Sequence, residues 1–346
     1  MRGIFPKASG RPGRGRRRAA VAAAVATTAL LAGCAAAPSS GQATPGTTRI
    51  VSVAKPATST GTATGASAST AACNPYASLS PEPGGPAVSA GSWAARIKAR
   101  GYLVAGVDQT TYHFGYLNPL DGQIEGFDID MVKDVAAAIF GLPSSSDALL
   151  AHIHFKAISD ADRITDVQKG TVDIVAHTMT VNCQRQTEVD FSTVYYDAIA
   201  QVLEDKSASG GRAPDLAELG AQHAKVCATS GSDDLAIISG AHADPVAVAY
   251  WSDCLVLLEE GQVSGVVTDN SILYGMQAQD PDTVVTGSQL QPEPYGLAIS
   301  KAHPDFVRFV NAVLARAMAD GQWLGSCRHW VSSTCQHPGW PINYVS

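Results

Sequence analysis

Acidic residues are missing from the first 72 positions of this 346-residue chain, where no Asp or Glu occurs. Long apolar runs are missing as well: the longest candidate, Ala19–Gly33, is too short to span a bilayer convincingly. No two cysteines stand at the C-x₂-C spacing of a structural zinc site, and no His–Cys cluster accompanies them. The G-x-S-x-G turn of serine hydrolases and the glycine-rich loops that cradle phosphates are absent too. These gaps weigh against a metal centre, a cofactor and the commoner enzyme classes. Charged residues make up only 16% of the chain beside 45% hydrophobic ones, which suits an ordinary globular protein.

What the first segment does contain is one-sided. Residues 1–33 hold seven Lys or Arg and then the apolar stretch AAVAAAVATTALLAG, which stops at Cys34. This is the pattern of a signal peptide, and Leu31-Ala32-Gly33-Cys34 matches a bacterial lipobox, whose cysteine is acylated and becomes the mature amino terminus. The expectation is an extracytoplasmic lipoprotein held to the outer face of the cell membrane by the lipid on Cys34. Removing seven of the 24 basic residues leaves 17 against 31 acidic ones, about −14 for the mature chain, so nucleic acid is excluded as a partner. Residues 34–72 are mostly Ala, Thr, Ser, Gly and Pro with only Arg49 and Lys55 charged, a composition that reads as a flexible tether.

Six cysteines remain after Cys34, and an oxidising exterior favours bridges among their fifteen possible pairings. Cys227 and Cys254 flank predicted strands of one lobe, and Cys327 and Cys335 close a short loop. That leaves Cys73 to pair with Cys183.

The body reads as α/β. Tyr102–Val107, His152–Phe155, Asp173–Ala176 and Ala224–Ala228 are predicted strands, and helices are expected over Ala94–Arg100, Met131–Phe140, from Ala161 to near Gly170, and over His303–Trp323. His152 and His154 share one strand face, but no third ligand is in view to make them a metal site. The stretch AHTMTVNCQRQTEVDFSTVYY, from Ala176 to Tyr196, sets Arg185 behind a run of hydroxyls at the carboxyl end of a strand, where open α/β sheets bind small ligands. A guanidinium there matches a carboxylate with two parallel hydrogen bonds. Val266-Val267-Thr268-Asp269 places a carboxylate at the end of another strand, suited to an ammonium, and Thr229–Asp234 is a small-residue loop of the kind that offers N–H groups to an anion.

MTVNCQR with VDFSTVYY, GFDID, SGVVTDNSILYG and EPYGLAI together resemble the signatures of periplasmic amino-acid-binding proteins, family 3 of the bacterial solute-binding proteins, glutamate/glutamine type. The resemblance covers roughly residues 92–326. Asn182 and Cys183 depart from it, standing where the family usually has Thr or Ser and often Pro. The resemblance implies a two-lobed type II periplasmic-binding-protein fold, each lobe a mixed sheet flanked by helices. Residues 73–199 plus 293–346 would form lobe one and residues 200–292 lobe two, with hinge crossings near 197–201 and 291–296. It implies that Thr180 and Arg185 hold the α-carboxylate of a free amino acid, with the N–H and hydroxyl donors at Ser232 and Asp233 completing the cradle, and that Asp269 holds the α-ammonium. Phe127 would pack over the ligand's aliphatic stem, with Asp128 and Asp130 capping the following helix. Arg163 and His177 would approach a side-chain carboxylate, and Thr178 and Tyr112 complete the set. The implied ligand is glutamate or aspartate first, glutamine or asparagine next, delivered by a monomer to an ABC permease. A sensor passing its closed state to a membrane receptor is the alternative. A cyclohydrolase-like dehydratase on the same fold would need His177 as its acid or base.

Overall fold

The computed structural model describes residues 73–207, 215–336 and 343–345. Cys34, the leader and the linker up to residue 72 lie outside the described residues. The compact unit Ser69–Ser346 contains two larger sheets, each with an apolar core of its own.

The lobe-one sheet runs Ile153–Ala157, Leu103–Val107, Ile174–Ala176, Ala298–Ile299, Asp190–Phe191. Its first three strands are parallel, and Ala298–Ile299 lies antiparallel to both of its neighbours. Because successive side chains of a strand point to opposite faces, the run Ile174-Val175-Ala176 serves two cores. Ile174 and Ala176 join the cluster under helices Phe127–Phe140 and Pro304–Asp320, whereas Val175 enters a smaller cluster with Val167, Met179, Val181 and Phe191. The expected long helix His303–Trp323 is two helices. Gly321, at φ 85°, ends the first at Asp320, and Gln322–Trp330 forms the second. A short parallel pair, Ala77–Leu79 with Asn343–Val345, had no counterpart in the sequence reading.

The lobe-two sheet runs Asp244–Val248, Lys225–Thr229, Gly265–Asp269, Tyr196–Asp205, Thr283–Thr286. The ten-residue strand Tyr196–Asp205 belongs to this sheet through its second half. Its first half pairs antiparallel with the return strand Pro292–Tyr295, from Tyr196 opposite Tyr295 to Ile199 opposite Pro292. Two strands therefore carry the chain between the lobes, side by side.

Disulfides join Cys73 to Cys183, Cys227 to Cys254 and Cys327 to Cys335. The first ties the start of the described chain to the short helix Cys183–Glu188, and the second ties strand Lys225–Thr229 to helix Trp251–Glu259. His152 and His154 stack on Phe140 and Tyr102 at 4.6 and 4.0 Å between ring centroids, which accounts for both without a metal.

Candidate functional site

The carboxyl ends of Ile174–Ala176 and Gly265–Asp269 face each other across the two lobes and enclose a cavity of about 10 Å³. That is room for about one water. Anything larger than water enters only if the lobes part, so the lobes are closed on each other.

Lobe one supplies Asp160, Arg163, Thr178, Thr180 and Arg185 to the wall. Asn182 caps helix Cys183–Glu188, its side-chain oxygen accepting from the Arg185 N–H at 2.9 Å, which explains an Asn at this position. Arg185 is thereby fixed one turn into the helix, and its Nη1 donates to the Thr180 carbonyl at 2.8 Å. Thr178, at φ 42°, donates its N–H to Asp128 Oδ2 at 2.7 Å, and Asp128 Oδ1 accepts from the Tyr195 hydroxyl at 2.6 Å. Burial raises the Asp128 carboxyl to about 6 despite these donors. Arg163, 4% exposed, forms an ion pair with Asp160 at 2.7 Å and donates to the Asp160 and His177 carbonyls at 3.0 and 3.2 Å.

Lobe two supplies Ser232, Asp233, Asp234, Trp251, Thr268, Asp269 and Ile272. Gly231 has φ +90°, and a Cβ there would lie 2.6 Å from Ala161 Cα of lobe one, so only glycine lets the loops meet. Its carbonyl accepts from Nη2 of both Arg163 and Arg185, at 3.3 Å each, so the two arginines clasp the opposite lobe. The Thr229 hydroxyl donates across the same gap to Asp160 at 2.6 Å. Asp233 pairs with Arg185 at 3.2 Å and accepts from Asn182 at 3.1 Å. Asp269, 4% exposed, accepts from the Tyr295 hydroxyl at 2.5 Å. Asp234, Asp269 and Glu293 bring their oxygens within 4.8 Å of one another. Burial pushes all three carboxyls up, Glu293 to about 7, and neighbouring carboxylates add to the rise. This cluster is the place among the described residues where several carboxylates can meet one cation.

Several expected roles are corrected. Phe127 is fully buried in the lobe-one core among Phe114, Tyr195, Tyr196 and Trp323, because the aromatic lies on the inner face of its helix and not at the cavity. Trp251 and Ile272 line the cavity instead. Asp128 and Asp130 do not cap: helix Phe127–Phe140 starts at Gly126 without a side-chain bond, and Asp130 accepts from Ser326 and Trp330. Ser232 lines the cavity, yet both its N–H and its hydroxyl donate to the Thr229 carbonyl, and Asp233 contributes a carboxylate to Arg185. His177 is buried with Nε2 3.0 Å from the Ile158 carbonyl and Nδ1 3.5 Å from Asp160, and it lines neither the cavity nor the surface. Tyr112 lines a separate small cavity with Trp251 and Ile272 at the seam between the lobes. Asp234, Glu293 and Trp251 were missed; the one local signal was the Asp233-Asp234 pair after a glycine loop.

Residues 103–333 match the model of bacterial extracellular solute-binding proteins, family 3. The ABC transporter glutamine-binding protein GlnH of Bacillus subtilis (strain 168) is 33% identical over 239 residues, which cover 68% of this chain and 84% of that protein. The L-glutamate/L-aspartate-binding protein of Pseudomonas aeruginosa is 25% identical over 261 residues, 72% of this chain and 83% of that one. Among solved structures, an ancestral arginine-binding protein bound to glutamine superposes with a TM-score of 0.59 at 27% identity, covering 67% of this chain and 98% of that chain. The P235GK mutant of ArgBP from T. maritima gives 0.61 at 25% identity, covering 68% and 98%. The relatives are named as binding proteins, and two lobes joined by a two-strand hinge around one cavity are the type II periplasmic-binding-protein fold. This chain belongs to family 3 of the bacterial extracellular solute-binding proteins, the amino-acid-binding, extracytoplasmic components of ABC importers.

Proposed function

We propose that this protein captures one free amino acid between its lobes, with Arg185 on the α-carboxylate and Asp269 on the α-ammonium, and delivers it to an ABC permease. The reading includes attachment of the protein, as a monomer, to the outer face of the cell membrane through a lipid on Cys34. The observation that carries it is that Arg185 and Asp269, on opposite lobes and nearly buried, line one closed cavity. Binding groups split across two lobes favour the closed form, because only that form makes every contact, and closure is what a membrane partner reads.

Asp233 pairs with Arg185, so a ligand carboxylate displaces it. Asp233 is the more exposed of that pair, with 27% of its side-chain surface open, and turns outward at little cost. For the side chain, relatives named for glutamine, glutamate and aspartate support the polar set expected from the sequence, and neighbours in structure are named for arginine. The acidic members of that set lack a counter-charge, since Arg163 is already held by Asp160.

Calorimetry of the purified chain against the twenty amino acids tests the reading. A ligand at a hundred times its dissociation constant stabilises the fold by about 2.7 kcal/mol, so thermal melts provide a second readout. Arg185→Ala and Asp269→Ala should each weaken binding by about a hundredfold or more. Binding that survives both substitutions refutes the assignment.

A further inference from the structure

The charge around the cavity does not balance. Five carboxylates meet there, those of Asp160, Asp233, Asp234, Asp269 and Glu293, against the guanidinium groups of Arg163 and Arg185. Each arginine faces one partner, Asp160 at 2.7 Å and Asp233 at 3.2 Å. Asp234, Asp269 and Glu293 are left over, 4%, 4% and 1% exposed, with no ion pair to any Lys, Arg or His of the described residues. Asp234 Oδ1 and Glu293 Oε2 are buried without a well-formed hydrogen bond, and the Thr178 hydroxyl, which lines the same cavity, has no partner either. Trp251 completes this part of the wall, and an aromatic ring stabilises a cation beside it.

Three like charges in a site closed to water are costly unless a cation meets them or protons neutralise them, and a bound cation spares the site that protonation. The ammonium of an amino acid neutralises one. A ligand with a neutral side chain leaves two, and a glutamate or aspartate brings in a further negative charge. Resting on the reading that Arg185 and Asp269 hold a free amino acid, we propose that the ligand's side chain carries a positive charge, an ammonium or guanidinium met by Asp234 and Glu293, and that acidic amino acids are rejected.

The test is a calorimetric competition at pH 7.5 on the purified chain. The ligands are arginine, lysine and ornithine, with citrulline as the uncharged counterpart of arginine, then glutamine and glutamate. Calcium, magnesium and manganese chlorides are titrated without amino acid. Arginine or another cationic ligand should bind about a hundredfold more tightly than citrulline and glutamine, and glutamate should not bind measurably. The double variant Asp234→Asn/Glu293→Gln, which removes like charges and leaves Arg185 and Asp269 in place, should lose the preference for arginine over citrulline while still binding citrulline. Tighter binding of glutamine or glutamate than of any cationic ligand overturns the inference and leaves the amino-acid reading intact. Failure of every amino acid to bind overturns both. Binding of a divalent ion in place of any amino acid overturns both as well and makes the three carboxylates a metal site.

Discussion

The two walls of the interlobe cavity are opposites. Lobe one brings in both arginines and holds them with its own groups, Arg163 on Asp160 and the Asp160 and His177 carbonyls, Arg185 on the Thr180 carbonyl, while Gly231 and Asp233 of lobe two complete their partners across the gap. Lobe two, with the return strand beside it, brings in Asp234, Asp269 and Glu293 with little to meet their charge. The first wall is held largely from its own lobe, and a ligand carboxylate that takes Arg185 displaces Asp233 of the other lobe. The second is held in a state that a ligand relieves. A closed form without ligand therefore carries a cost concentrated in one wall, and that cost is what makes closure depend on ligand.

The contrast predicts its largest effect at Arg163. Replacing it by Ala leaves Asp160, 2% exposed at its side chain, without its cation, which costs about 3–5 kcal/mol. The melting temperature should fall by roughly 10 °C, and adding Asp160→Asn should recover much of the loss. A fall under about 3 °C would show that the first wall does not depend on this pair.

The second effect is on the other wall and has the opposite sign. Glu293 rises from 4.5 to about 7 through burial and the neighbouring carboxylates, and Asp234 and Asp269 are raised in the same way. A carboxyl lifted in the folded state holds its proton after the unfolded chain has lost it, so stability falls as pH rises from about 4.5 to about 7. The loss is on the order of 3 kcal/mol for Glu293. Glu204, also lifted to about 7, and Asp134 and Asp128, lifted to about 6, add slopes of the same sign. Melts of the unliganded chain from pH 4.5 to 8 should show the decline, and Glu293→Gln should make it shallower. A decline that Glu293→Gln leaves unchanged would mean that the three acids already have a counter-ion.

What the sequence displayed of this site is the part that is local. Arg185 and Asp269 stand at strand ends within recognisable runs, and the hinge crossings are marked by the long strand and by the Glu293-Pro294-Tyr295-Gly296 return. The structure closes Cys227–Cys254 beside the predicted strands and Cys327–Cys335 across a short loop, and Cys73–Cys183 as the remaining pair. Hidden from the sequence was everything set by contact between the lobes. Asp234 and Glu293 belong to different segments and meet only because the return strand pairs with the first half of Tyr196–Asp205, whose second half pairs with Gly265–Asp269, and because helix Asp234–Gly240 starts at the same cavity. Phe127 misled because a polar neighbourhood in sequence says nothing about which side of a helix faces the core. Ser232 misled because a loop's hydroxyl can turn back onto its own carbonyl as easily as toward a ligand.

The smallest predicted effect isolates closure from chemistry. Gly275, on helix Asn270–Gln279 of lobe two, lies so close to lobe one that a Cβ would come within 2.7 Å of the Tyr112 carbonyl oxygen. Alanine suits a helix interior better than glycine by about 1 kcal/mol, so lobe two by itself is not weakened by Gly275→Ala. The clash exists only when the lobes meet, and because it is with backbone, Tyr112→Ala does not relieve it. Ligand affinity should therefore drop about tenfold while Arg185 and Asp269 remain in place. Since the lost energy is that of the closed state, the drop should be of similar size for every amino acid the protein binds. A uniform drop identifies the seam as part of the closing surface, whereas a drop for one ligand alone would place Tyr112 at the ligand itself.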